Sequence, residues 1–316
     1  MAKKKQGLPF FKGEEYEHGG YEAVIYEKDA QQGLGKIILN GPEKRNPLSY
    51  QRQIEISMAL REMEQDDEIK IIIIKGAGPS FCAGYDITPV PPGERGRGAL
   101  INEERDGMWM SSYHSMFREL YSVIWDLQKP VIAQIHGYCL AGGTHLSSFC
   151  DLRYVAEDAQ IGYPVSRNWT PGGYQFMPWI MGVTRAKHYM FTGKPIDGRK
   201  AYEWGWAAGV FPADKLEEET EKIAADIALV ETDLIMLTKR SINRQMEIMG
   251  FKTGMMTSID FYAVAGRRPS QEGGDEFRKI AQEKGLKAAL DWRDQSFNIG
   301  YRTSDRATKA RDARTR

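Results

Sequence analysis

The chain has 316 residues, 41% of them hydrophobic and 27% charged, with 43 acidic and 43 basic side chains. That length is enough to bury a full core, and zero formal net charge argues against nucleic acid or an anionic membrane as the main partner, since both reward a basic surface. The longest aliphatic run, Ile71 to Ile74, is far too short to span a bilayer. Cys82, Cys139 and Cys150 have neither the spacing of a disulfide framework nor that of a metal site. This fits a cytoplasmic protein with no bound metal.

In chain order, residues 1–20 are rich in Lys, Glu and Gly and read as an extension. Strands are predicted over 23–26 and 35–39 across a turn at 29–33. A helix follows over 50–65 with Ser49 as its N-cap. The β-branched run 69–75, bounded by charges, suits a strand buried on both faces. Residues 89–107 are polar and rich in Gly and Pro, and read as a mobile lid. A helix over 111–127 leads through Pro130 into a strand at 131–135, then a short helix at 142–150 and strands at 152–155 and 160–162. Beyond residue 184 only helical periodicity remains, in segments 185–191, 199–204, 215–230, 234–249, 254–265, 272–284 and 286–292. Strands alternating with helices, then helices alone, predict an α/β core with a C-terminal helical part.

Two stretches carry chemistry. From Lys75 to Ile87 a buried strand runs into Phe-Cys-Ala-Gly-Tyr-Asp, where small residues let a ligand approach the backbone and present the Ala83 N–H. From His136 to His145 a strand ends, Gly142 and Gly143 turn the chain, and a helix begins. Its N-terminus offers N–H groups and a positive dipole end to an oxygen gaining negative charge. One donor from each stretch makes an oxyanion hole.

Together these stretches resemble the signatures of the enoyl-CoA hydratase/isomerase (crotonase) superfamily. Supporting pieces are Asn40 to Leu48, Lys129 to Ala133, Thr192 to Ile196, Ala201 to Gly205 and Glu283 to Asp294, so the resemblance runs over residues 22–295. It implies an α/β fold: a crotonase-like spiral of β-β-α units over 21–195 and a C-terminal helical, oligomerisation domain over 196–295, with a flexible tail at 296–316. It also implies a homotrimer or dimer of trimers, and an acyl-CoA thioester whose coenzyme A is part of the substrate, with no separate cofactor. By position, the N–H groups of Ala83 and Gly142 would hold the thioester oxygen. Lys44, Arg45 and Asn46 would border the CoA, and Asp86 would fall beside the acyl pocket.

Hydratases of this family carry two catalytic glutamates, and the matching positions here hold His145 and Val165. Valine cannot activate water or move a proton. His145 stands in the first turn of a helix, where dipole and burial both disfavour imidazolium. It is read as a neutral proton carrier facing the acyl group, with a plain pocket wall as the alternative. Asp86 is a second acid–base candidate, although an Asp after a turn commonly caps backbone. Arg167 is a candidate for meeting a polar acyl substituent. Tyr85, Val165 and Trp169, with Tyr163, Tyr174 and Trp179, supply a lining suited to a bulky or ring-containing acyl group. The expected function is conversion of an acyl-CoA through a thioester enolate, by double-bond isomerisation or a variant hydration. Hydrolytic C–C cleavage or ring closure of a cyclic β-keto acyl-CoA, and non-catalytic binding of acyl-CoA or RNA, are the alternatives.

Overall fold

A run of four isoleucines, Ile71 to Ile74, is wholly buried because its strand lies inside a parallel sheet covered on both faces. The computed structural model describes residues 20–87, 117–167, 170–265, 272–295 and 297. The expected lid at 89–107, the start of the 111–127 helix and Trp169 lie outside the described residues. Strands β1 (Val24–Asp29), β2 (Leu34–Leu39), β3 (Ile71–Gly76), β4 (Val131–Ile135), β6 (Leu152–Ala156) and β8 (Gly209–Phe211) form the main sheet in that order. A second, two-stranded sheet pairs β5 (Tyr138–Leu140) with β7 (Gln160–Gly162). Among the described residues β1 and β2 run antiparallel, as a hairpin, and the other strand pairs of both sheets are parallel.

Parallel neighbours need long crossovers. Helix α1 (Tyr50–Glu64) makes the one between β2 and β3. Its start follows the predicted cap: Ser49 is extended, and its hydroxyl accepts the Arg52 N–H at 3.1 Å. The same helix anchors the first strand. Oε2 of buried Glu55 accepts the N–H groups of Glu22, Ala23 and Val24 at 3.1, 2.6 and 3.1 Å. Between β3 and β4 the described chain holds a π-helical turn, Phe117–Tyr121, that continues into α2 (Ser122–Asp126). Helix α3 (Gly142–Phe149) then lies between β5 and β6.

The helices after β7 are α4 (Met177–Met181), α5 (Val183–Thr192), α6 (Gly198–Glu203), α7 (Leu216–Ala228), α8 (Thr232–Ile248), α9 (Phe251–Ala265), α10 (Glu272–Lys284) and α11 (Leu286–Gln295). The expected division at residue 195 does not divide the packing. β8 joins the main sheet beside β6, Tyr154 opposite Gly209. Helix α7 packs on that sheet through Leu216, Thr220 and Ala224. Among the described residues α10 and α11 carry a separate small core, Phe277, Ile280 and Ala289, and that core meets Ile87 at the end of the first glycine stretch. No helix among the described residues is long and apolar enough to cross a membrane.

Candidate active site

The two glycine stretches meet where expected. A Cβ placed on Gly84, whose φ is +115°, would lie 3.2 Å from the Ala141 Cβ and 3.7 Å from the Gly142 nitrogen. Only glycine gives the backbone that freedom and that approach. On one side of the first stretch, Cys82 donates to the Tyr138 carbonyl at 2.8 Å and accepts from Leu140 at 3.0 Å. On the other, Leu48 donates to Gly84 at 2.7 Å and accepts from Asp86 at 3.1 Å.

This pairing corrects one expectation. The Ala83 N–H is spent on the Arg45 carbonyl at 2.8 Å, so it does not stand ready for a ligand oxygen. Leu48 bonds to Gly84 and Asp86, and alternation along the strand turns the Tyr85 N–H away from Leu48. Gly142 keeps the place expected of it, as the first residue of α3. The first helical bond is made by the His145 N–H to the Ala141 carbonyl at 3.0 Å, so the Gly142 N–H has no acceptor within the helix.

Ala141 itself has φ +47° and ψ −108°, outside the ordinary regions for a residue with a Cβ. The surroundings over-determine it. Its N–H is held by Gly162 at 2.9 Å, and the Thr144 hydroxyl bonds the carbonyls of Cys139 and Gly162, each at 3.0 Å. Such strain costs on the order of 1–3 kcal/mol and clusters at functional sites. Ala141→Gly is therefore expected to stabilise the fold by about 1 kcal/mol after the entropy of an added glycine. A chemical denaturation midpoint that moves down on this substitution would show that the backbone is not strained there.

His145 lies behind this junction and is 3% exposed. Its Nδ1 is 3.1 Å from the Tyr85 hydroxyl, which is 2.7 Å from the Tyr121 hydroxyl. The rings of Tyr163 and Tyr174 enclose it, each with its centroid 5.0 Å away. Burial alone holds the imidazole far below the ordinary histidine range, at about 3. Burial likewise pushes the hydroxyls of Tyr121, Tyr163 and Tyr174 up. The group at the helix start is thus a neutral imidazole among protonated phenols, able to exchange a proton but carrying no fixed charge.

The other expected residues divide. Lys44 is exposed. Arg45 is half-buried, its carbonyl held by the first stretch through the Ala83 N–H and its guanidinium 4.8 Å from the Tyr138 ring centroid of the second. Asn46 does not face a ligand. It is fully buried, accepts the Gly41 N–H at 2.9 Å, and donates to the carbonyls of Ala77 and Ser80, both at 2.8 Å. Arg45 and Asn46 both have positive φ, 62° and 54°, and the Asn46 amide stitches this turn to the glycine stretch. Asp86 is half-buried next to Tyr85, and Val165 sits on the short 3-10 turn Pro164–Arg167.

Arg167 is turned to structure instead of an acyl group. Its side chain is wholly buried, pairs with Asp294 at 2.6 Å, and donates to the Gly193 carbonyl, tying α11 to this turn. Trp179 packs on Phe251, with centroids 5.9 Å apart. Tyr121 was not singled out from sequence. Its helical surroundings read as ordinary core, and no spacing marks its hydroxyl.

A mainly parallel sheet that brings a glycine stretch and a helix N-terminus together over one buried acid–base group defines an α/β enzyme of small-molecule chemistry. The chain belongs to the enoyl-CoA hydratase/isomerase family, whose model matches residues 29–282. It is similar to the crotonyl-CoA hydratase of Syntrophomonas wolfei, 29% identical over 284 residues that cover 88% of this chain and 98% of that protein. Among solved structures, an enoyl-CoA hydratase from Mycobacterium smegmatis superposes with a TM-score of 0.81 at 28% identity, over 91% of this chain and 99% of that one. An enoyl-CoA hydratase/isomerase from Xanthobacter autotrophicus Py2 superposes with a TM-score of 0.74 at 27% identity, over 88% and 100%. The fold is therefore the crotonase fold, and an enzyme acting on acyl-CoA is the class the family supports.

Proposed function

We propose that the protein moves the double bond of an enoyl-CoA thioester through an enolate. The thioester oxygen lies between the N–H groups of Gly142 and Tyr85, the latter in the place first given to Ala83. His145, with the hydroxyl of Tyr85, carries the proton. The observation behind this reading is the neutral, buried imidazole hydrogen-bonded to Tyr85 at 3.1 Å beside the start of α3. Isomerisation takes a proton from one carbon and returns it to another, so one proton carrier suffices. Coenzyme A enters only as part of the substrate. Three buried, free thiols fit a reducing cytoplasm. Leu234, Leu237, Ile242 and Ile248 of α8 are 54–73% exposed, which supports a trimer or larger self-assembly whose mass light scattering would read.

Two measurements test the reading. Any CoA thioester held at a hundred times its dissociation constant should stabilise the fold by about 2.7 kcal/mol. Gly142→Ala should remove that shift, because the new Cβ falls 3.1 Å from both Leu48 Cδ1 and the Tyr85 ring. Absence of a shift with every thioester, in protein shown to be folded, would refute acyl-CoA binding. A panel of linear and cyclic enoyl-CoAs followed by mass spectrometry and NMR then identifies the reaction. Crotonyl-CoA should be hydrated far more slowly than the roughly 10 per second typical of enzymes, since Val165 offers water no base. Turnover near that rate would place an unrecognised water-activating group in the site.

A further inference from the structure

Three polar atoms stand in line behind the α3 start: Tyr121 hydroxyl, Tyr85 hydroxyl at 2.7 Å, and His145 Nδ1 a further 3.1 Å on. The line has a direction. Tyr121 is fully buried, and its hydroxyl finds its hydrogen-bond partner among the described residues in Tyr85. A buried O–H left without an acceptor is costly, so Tyr121 donates to Tyr85. Its ring cannot swing to another partner. It ends the π-helical turn Phe117–Tyr121, stacks on Phe149 at 4.8 Å and meets Tyr174 edge-on at 4.8 Å. π-helical turns occur frequently at functional sites. With its oxygen accepting from Tyr121, the Tyr85 hydroxyl can give its own proton to His145 Nδ1, 3.1 Å away. In that arrangement the ring proton of His145 resides on Nε2, and its basic lone pair is the one covered by Tyr85.

The burial gradient runs the same way. Tyr121 is 0% and His145 3% exposed, whereas Tyr85 is only half-buried. The Tyr85 ring also borders Gly142, within 3.1 Å of where a Cβ there would stand. A thioester arriving at the Gly142 N–H therefore meets the Tyr85 ring, whose hydroxyl covers His145 Nδ1. We propose that Tyr85 is the catalytic residue that exchanges protons with the acyl chain, that His145 is its base, and that Tyr121 is the positioning residue fixing the direction of transfer. This deepens the enolate reading given above and rests on it.

In the step itself, an acyl C–H bond breaks and its proton joins the Tyr85 oxygen. The Tyr85 proton passes to His145 Nδ1, and the electron pair left on carbon delocalises into the thioester carbonyl. Reverse passage returns a proton to the second carbon. The imidazolium forms only opposite the enolate, so the pair is neutral as a whole.

The direction is read first, on unliganded protein. In ¹⁵N-histidine-labelled enzyme at pH 7, with His145 assigned by its loss in His145→Gln, Nδ1 should be unprotonated and Nε2 protonated. Tyr121→Phe, which keeps the ring, should let the tautomers mix. A protonated Nδ1 in the wild type, or an unchanged tautomer in Tyr121→Phe, overturns the proposal. The second measurement follows deuterium uptake at the α-carbon of saturated butyryl-CoA and cyclohexanecarbonyl-CoA. Tyr85→Phe should slow uptake on the order of 10²-fold or more, and Tyr121→Phe by less, with the thioester-induced melting shift retained in both. Wild-type uptake in Tyr85→Phe alongside loss in His145→Gln would mean that His145 meets the carbon directly, and the proposal falls. A wild-type protein that neither binds nor exchanges any thioester removes the acyl-CoA reading itself, a result separable from the tautomer.

Discussion

His145→Gln should lower turnover and α-proton exchange by on the order of 10² to 10⁴, the usual worth of a positioned acid–base group. Thioester binding should change little, because in the proposed site affinity is assigned to CoA and the backbone donors. The pH dependence carries a definite sign. Burial places the folded-state value of His145 at about 3, against 6.5 for an ordinary histidine. Between those values the unfolded chain binds a proton that the folded chain refuses. The stability contribution is therefore present above pH 6.5 and is lost as pH falls toward 3, about 2 kcal/mol of it by pH 5. Glutamine does not titrate, so His145→Gln should gain on the wild type by that amount between pH 7 and pH 5. For the same reason the wild-type rate should show no limb from His145 between pH 5 and 8. An acidic limb centred near 6.5 that disappears in His145→Gln would show a solvated ring, and the buried-base reading would fail.

Elements set by local pattern were legible in the sequence. The four isoleucines of β3, the Ser49 cap of α1 and the long period of α8 each carry their own signal. The strands β5 and β8 have three residues each, too few to show any period, and exist because distant strands pair with them. The site divided along the same line. The positions of Gly142 and His145 at the start of α3 were readable because a glycine pair and a helix start fix where they stand. Ala83 was misjudged because which amide of that stretch turns toward a ligand depends on pairing with Leu48 and with Tyr138. Asn46 looked like a ligand contact directly after two basic residues, yet its amide closes a turn through Gly41, Ala77 and Ser80. Arg167 finds its partner in Asp294 on the last helix, a contact that no local spacing announces.

Lys239→Met should destabilise the fold by about 3 kcal/mol, and by more at neutral pH than in mild acid. The Lys239 ammonium projects from α8 and bonds Asp151 at 2.7 Å, the Ile124 carbonyl at 3.2 Å and the Lys129 carbonyl at 3.1 Å. All three of its donors are used. Asp151, just past α3, also accepts the Val131 N–H at 2.8 Å, so the pair joins the helical layer to β4 and to the end of α3. Removing one partner of a buried pair costs about 3–5 kcal/mol, because the other charge is left behind. The lower end applies here, since the Asp151 side chain keeps 20% of its exposure while that of Lys239 keeps 6%. Burial already raises the Asp151 carboxyl above its ordinary 3.8, with Lys239 as the chief influence holding it down. Without Lys239 it rises further, and a carboxyl raised by folding destabilises only while it is ionised. The deficit of the variant is therefore largest above the folded-state value and shrinks as pH falls from 7 toward the usual carboxylate range. Urea denaturation of both proteins at pH 7 and pH 5 measures it. A loss that stays the same at both pH values would assign the cost to lost packing of the lysine stem, and the ion pair would not be what holds α8 to the sheet.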